Sequence, residues 1–227
     1  MNEQLFVSNS RELKIEPYGF EKISYNQFVN DWCKIYNEEE PNLDILRDIY
    51  DDIIIPRRAT ESSAGYDFFM PFNICIQRGE SIVIPTGIRC KFPNNMVLLI
   101  YPRSGLGFKH GLKLVNTVGV IDSDYYNADN EGHIMVKIKH EGLDDVYIST
   151  KETSLDNDSI DTVDNLIFNI SPYEGGYSRR IINYPNLKLS KGSAFCQGIV
   201  TNFMPFDNED TSKMKTRTGG FGSTDNK

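Results

Sequence analysis

The apolar residues of this chain change their period once, at Ile53, and that change limits the fold more than any other feature. Before it, Phe28, Trp32, Ile35 and Tyr36 recur at helical spacing. Ser24 with Gln27 three positions on makes an S-x-x-Q capping box, and Ile23 and Phe28 sit where a hydrophobic staple would close it. Pro41 can open a second short helix through Leu43, Ile45, Leu46 and Ile49. Glu12 to Glu16 alternates weakly, as an edge strand would. From Ile53 onward the period is 2. Ile82 and Ile84, then Ile88, Cys90 and Phe92, alternate with polar partners on either side of Pro85-Thr86-Gly87. Ile134, Val136 and Ile138 do the same, as do Leu166, Phe168 and Ile170. Turn signals separate these runs at Arg78-Gly79-Glu80, Pro93-Asn94-Asn95, Glu141-Gly142, Gly175-Gly176 and Lys191-Gly192. Many short strands with regular turns, and no helix-sized pattern between them, predict an all-β sandwich or barrel.

Charge and composition narrow the class. Twenty-four Lys and Arg against 32 Asp and Glu leave a net charge of −8 over 227 residues, the wrong sign for sequence-independent nucleic-acid binding. The longest apolar run, Met96 to Tyr101, suits a buried strand and is far too short to span a bilayer. The opening Met-Asn-Glu-Gln has neither the basic flank nor the apolar stretch of a secretory leader. Cys33, Cys75, Cys90 and Cys196 lack C-x-x-C spacing and read as small buried hydrophobes. His110, His133 and His140 have no metal-ligand spacing and read as surface or structural residues. A soluble, cytoplasmic protein is expected. Residues 150–165 are polar, acidic and aperiodic, which predicts a long surface loop. The stretch from Lys215 to Lys227 is rich in Gly, Ser and Thr and is expected to order only when docked.

Five segments carry chemistry. They are Ser63-Ala64-Gly65-Tyr66-Asp67, Pro102-Arg103-Ser104-Gly105-Leu106-Gly107, Asn116 through Tyr125, Gly192 through Gly198, and Arg217 through Thr224. Arg103, Ser104 and Gly105 offer a guanidinium, a hydroxyl and open backbone N–H groups, donors that match phosphate oxygens. Asp122 and Asp124 follow an apolar strand, where a carboxylate can orient and deprotonate a water. On an extended strand Asp124 would share the face of Asp122. Asn116 has a donor and an acceptor on one amide, enough to pair with a pyrimidine edge.

In order and spacing these segments resemble the five motifs of the trimeric deoxyuridine triphosphatase (dUTPase) family, over roughly residues 53–140 and 188–225. The resemblance implies a distorted jelly-roll β-barrel and a homotrimer with sites at subunit interfaces. It implies hydrolysis of dUTP to dUMP and pyrophosphate, with Asp122 as the base. Arg103, Ser104 and Gly105 would then hold the α- and β-phosphates, and Gln197 would offer its amide to them. Tyr125 would lie beneath the deoxyribose and exclude a 2′-hydroxyl. Asn116, Val120, Ile121 and Met135 would line the base pocket, and Asp67 would sit near the sugar. From the tail, Arg217 would neutralise charge on the triphosphate. Phe221 would stack on the base, and Gly222, Ser223 and Thr224 would wrap the phosphates of a neighbouring subunit's site. Mg²⁺ would be held through the triphosphate and water, without protein ligands. The implied organisation is an N-terminal, mostly helical extension (1–52), a barrel (53–214) with an insert (142–187), and a closing tail (215–227).

Besides the extra N-terminal helices, four departures from the family pattern stand out. Ser193 and Ala194 replace the acidic residue and arginine of the fourth motif. Asn127 to Glu131 lengthen the hairpin before Gly132. Arg217 lies one residue nearer Phe221 than usual, with Lys215 able to share its role. The fourth departure is the 142–187 insert. Two other readings stay open from sequence. A dCTP deaminase, alone or bifunctional, would share the fold but needs a glutamate after the hairpin glycine, where His133 and Ile134 stand. A regulatory interaction protein would use the insert to hold a partner.

Overall fold

The computed structural model describes residues 18–142 and 186–209, the backbone of four strands between 146 and 183, and Gly219. In chain order the elements are β1 (Gly19–Lys22), α1 (Tyr25–Tyr36), α2 (Leu43–Asp51), β2 (Arg57–Arg58), β3 (Tyr66–Phe69), β4 (Ile74–Ile76), β5 (Ser81–Pro85), β6 (Ile88–Lys91) and β7 (Met96–Pro102). There follow α3 (Ser104–His110), β8 (Leu112–Leu114), β9 (Gly119–Asp122), a 3₁₀ turn (Ser123–Asn127) and β10 (Met135–His140). The last are β11 (Val146–Ser149), β12 (Thr162–Val163), β13 (Leu166–Tyr173), β14 (Tyr177–Asn183), β15 (Leu187–Leu189) and β16 (Ala194–Asn202).

The fold is mostly β, as the period-2 runs predict. Its largest sheet has the order β2-β3-β16-β7-β9, and β5-β10-β8, β1-β6 and β15-β4 complete the wall around one core. Alternation works as expected on β10, where Val136, Ile138 and His140 are buried and Lys137 is exposed. On β16 it fails locally. Ala194 pairs with Phe69 and Cys196 with Phe68, so Phe195 is an extra residue in a bulge. Two consecutive side chains, Phe195 and Cys196, are therefore both fully buried, and Gln197 is turned to the rim. Such short antiparallel sheets wrapped about a shared interior form the jelly-roll architecture expected.

The N-terminal segment packs as its pattern predicts, with two changes. Ser24 caps α1, its hydroxyl accepting from Gln27 N–H at 3.2 Å, and Ile23 and Phe28 are buried. Fully burying a phenylalanine such as Phe28 contributes about 1.5–3 kcal/mol. The other half of the box is different: the Ser24 N–H donates to Glu131, 107 residues on. Pro41 does not open α2, because Asn42 is its cap and accepts from the N–H groups of Asp44 and Ile45. The stretch also contributes β1, which pairs antiparallel with β6. Glu12 to Glu16 lies outside the described residues.

Two cysteines depart from expectation, since Cys75 is exposed and Cys33 half-buried, whereas Cys90 and Cys196 are buried. Between 146 and 183 the backbone forms a separate antiparallel sheet, β11-β14-β13-β12. The strand expected at Leu166 to Ile170 is β13; of the loop expected at 150–165, only Thr162–Val163 is described, and it is a strand. Among the described residues no helix is long and apolar enough to cross a membrane.

Candidate active site

The interior strand β7 organises the candidate residues, because it pairs with β16 on one side and β9 on the other. At its C-terminal end the chain turns through Arg103, whose extended backbone caps α3. A short helix is what forms, and its first N–H groups, those of Ser104 and Gly105, have no carbonyl one turn earlier to bond. A Cβ at Gly105 would meet nothing within 4 Å, so backbone lies open to a ligand there.

Sheet register brings the other candidates to the same end. Gln197 pairs with Tyr101 on one side and with Asp67 on the other. The Arg103 Nε lies 3.4 Å from Asp67 Oδ1, and its Nη1 donates to the Ala194 carbonyl at 3.5 Å. Gln197 Nε2 donates to the Pro102 carbonyl at 3.4 Å. Gly65 faces this amide: a Cβ there would stand 2.5 Å from Gln197 Oε1. The neighbouring Cys196 is no nucleophile, because burial and then the charge of Asp67 push its thiol well up. Asp67, Arg103, Ser104, Gly105 and Gln197 thus form one donor-rich patch around the Asp67–Arg103 ion pair.

The second group lies elsewhere. Asp122 pairs with Val97, at the start of β7, six residues before Arg103. At about 3.3 Å per strand residue this separates the two backbones by roughly 20 Å. Asp122 is exposed and ends β9. Beyond it the backbone enters the 3₁₀ turn, so Asp124 is not on an extended strand and does not share the face of Asp122 by alternation. Ile121 is buried, which leaves its backbone for any ligand, and Val120 is 60 % exposed. Asn116 lies in the exposed turn from β8 to β9, with its amide alongside Gly119. Met135 opens β10 opposite Pro85.

Tyr125 is only 3 % exposed, so it can offer a ligand a ring face and little more. Its hydroxyl donates to the His133 carbonyl at 2.8 Å and accepts from Asn130 Nδ2 at 2.8 Å. The lengthened hairpin folds back tightly on this ring. Glu131 and Gly132 both have left-handed backbones, at φ 57° and 70°. A Cβ on Gly132 would stand 2.7 Å from the Tyr125 carbonyl oxygen, so only glycine fits. His133 and His140 are fully buried, which corrects a surface reading and supports a structural one. Arg217, Phe221, Gly222, Ser223 and Thr224 lie outside the described residues.

Comparison with known proteins bears on the family. The dUTPase family model matches residues 51–153. The deoxyuridine 5′-triphosphate nucleotidohydrolase of Lactococcus lactis is 33 % identical over 173 residues, covering 76 % of this chain and 88 % of that one. The enzymes of the same name from Pseudomonas fluorescens and Haemophilus influenzae are 43 % and 44 % identical over 91 residues, in each case 39 % of this chain and 57 % of the relative. Among solved structures, a dUTPase from Streptococcus mutans superposes with a TM-score of 0.49 at 24 % identity, covering 84 % of this chain and 99 % of that one. The chain belongs to the dUTPase family.

Proposed function

We propose that this chain hydrolyses dUTP to dUMP and pyrophosphate in the cytoplasm, at sites each built from more than one copy of the chain. The observation that carries the shared site is the position of Asp122 and Arg103 at opposite ends of β7. A base and a phosphate-binding arginine roughly 20 Å apart along one strand cannot both serve one α-phosphorus. Each completes a site with its counterpart from another copy, which fits a homotrimer.

In this reading Asp122 accepts a proton from water as its oxygen bonds to the α-phosphorus. The bond from that phosphorus to the bridging oxygen breaks, and pyrophosphate leaves with the electron pair. Arg103 arrives pre-aimed, held by Asp67 and the Ala194 carbonyl, and with Gln197 and the Ser104 and Gly105 N–H groups it takes up the growing negative charge. Tyr125 sets the floor for the sugar, Asn116, Val120, the Ile121 backbone and Met135 surround the base, and the tail from Arg217 closes over the site. Among the described residues no three His, Cys, Asp or Glu side chains converge to hold a metal. Mg²⁺ carried on the triphosphate and water needs no such cluster, and it would supply neutralisation of phosphate charge. The deaminase reading is disfavoured by Glu131, whose two carboxylate oxygens are both engaged by Ser24.

Two singly inactive variants test the arrangement. Asp122→Asn and Arg103→Ala are refolded together in equal amounts, with products from dUTP resolved chromatographically. Random trimers should place a sound Asp122 against a sound Arg103 in roughly a quarter of sites. Return of dUMP and pyrophosphate toward that fraction supports shared sites. No return, with mixed trimers confirmed by mass, overturns them.

A further inference from the structure

Three side chains of the N-terminal segment grip the loop behind Tyr125, each at a different point. Glu21 on β1 accepts a hydrogen bond from the Tyr126 hydroxyl and is itself held by Arg89 at 2.9 Å. Ser24, the cap of α1, donates to Glu131 from its N–H at 2.7 Å and from its hydroxyl at 2.6 Å. Asp31, buried on α1, lies 2.7 Å from His133 Nδ1. The other ring nitrogen, Nε2, accepts from the Gly87 N–H at 2.9 Å, so the imidazole is neutral and donates from Nδ1 to Asp31. The carbonyl of this same His133 takes the Tyr125 hydroxyl. A chain of hydrogen bonds therefore runs from α1 through His133 to the ring.

We propose that Asp31, Ser24 and Glu21 are positioning residues for sugar selection. By fixing the loop at His133, Glu131 and Tyr126 they fix the tilt of the Tyr125 ring, and with it the room left beside C2′. The N-terminal segment is then part of what distinguishes deoxyribo- from ribonucleotides. This rests on the reading above that Tyr125 lies beneath the sugar.

The experiment measures kcat and KM for dUTP and UTP on the full-length chain and four variants. Asp31→Ala should lower the dUTP-over-UTP preference in kcat/KM by about tenfold, the net worth of roughly one hydrogen bond. Most of that loss should be in KM for dUTP. Asp31→Asn keeps an oxygen in place for His133 and should recover most of the preference. Ser24→Ala removes only the hydroxyl bond to Glu131 and leaves the N–H bond in place, so it should show a smaller loss in the same direction, which keeps the test alive if Asp31→Ala does not fold. Tyr36→Phe is the control: it cuts the tie from α1 to the Val83 carbonyl at 2.8 Å, away from the loop, and should leave the preference within twofold. Folded Asp31 and Ser24 variants with the parent's preference overturn the proposal and leave the enzyme reading intact. A parent that does not turn over dUTP overturns both.

Discussion

The two ends of β7 are built by different means. At the Arg103 end, ordinary ladder pairing places Asp67, Gln197 and Tyr101 side by side, and the ion pair and amide contacts follow from register. At the Asp122 end the ladder stops. The chain runs through a 3₁₀ turn and a hairpin with two left-handed residues, and side chains from a hundred residues earlier hold it in place. A repeating backbone pattern fixes a site cheaply wherever strands continue. Where they end, position has to be specified contact by contact, and the loop carries strain of about 1–2 kcal/mol at Glu131 that those contacts offset.

The comparison is most sharply tested by chemistry. Asp122→Asn should lower kcat about 10²–10⁴-fold while KM for dUTP changes little. A kcat within a few-fold of the parent in steady-state assays would remove Asp122 as the base. The next largest effect is on folding, at Gly132. Alanine there meets the Tyr125 carbonyl oxygen at 2.7 Å in a left-handed backbone, at a cost on the order of 1–3 kcal/mol. Thermal unfolding should show a Tm lower by roughly 3–10 °C.

Gly105 provides the contrast at the other end. A Cβ there is unopposed, so Gly105→Ala should leave stability within about 0.5 kcal/mol of the parent and act instead on KM for dUTP. Equal Tm losses at Gly105 and Gly132 would erase the distinction between the two ends. The smallest effect is electrostatic. Burial pushes the Glu131 carboxyl up, but the two hydrogen bonds from Ser24 and the charge of Arg89 outweigh it and hold the group below the usual glutamate range. A carboxyl depressed in the folded state stabilises fully above its unfolded value, and that contribution fades as pH falls through the folded one. Glu131→Gln should therefore flatten the acid limb of a stability–pH curve measured by urea unfolding, and an unchanged limb would dismiss the contact.

The same division explains what could be read from sequence. The ladder is legible in part, because the period-2 runs fall on β5, β6, β10 and β13 and the apolar run Met96 to Tyr101 marks β7, with motif residues directly after it. Three features are not. The bulge at Phe195 leaves no mark in a run of apolar residues. The seven-residue helix after Arg103 is glycine-rich and too short for a 3.6 period to emerge. The grips of Ser24 on Glu131 and of Asp31 on His133 join residues more than a hundred positions apart, and single-sequence spacing holds no information on such pairs. Ser24 was recognised as a cap, yet its second partner could be found only in three dimensions.

Under the shared-site proposal, placing Asp122 and Arg103 at opposite ends of one strand also sets how mutant alleles would behave in a mixed cell. With two gene copies expressed equally, a chain lacking Asp122 alone spoils only the sites to which it lends that carboxylate, so about half of all sites survive. A chain lacking both residues spoils two sites at once, and about a quarter survive. On that proposal dominance becomes a matter of strand geometry: dosage curves would be linear for one lesion and quadratic for the pair.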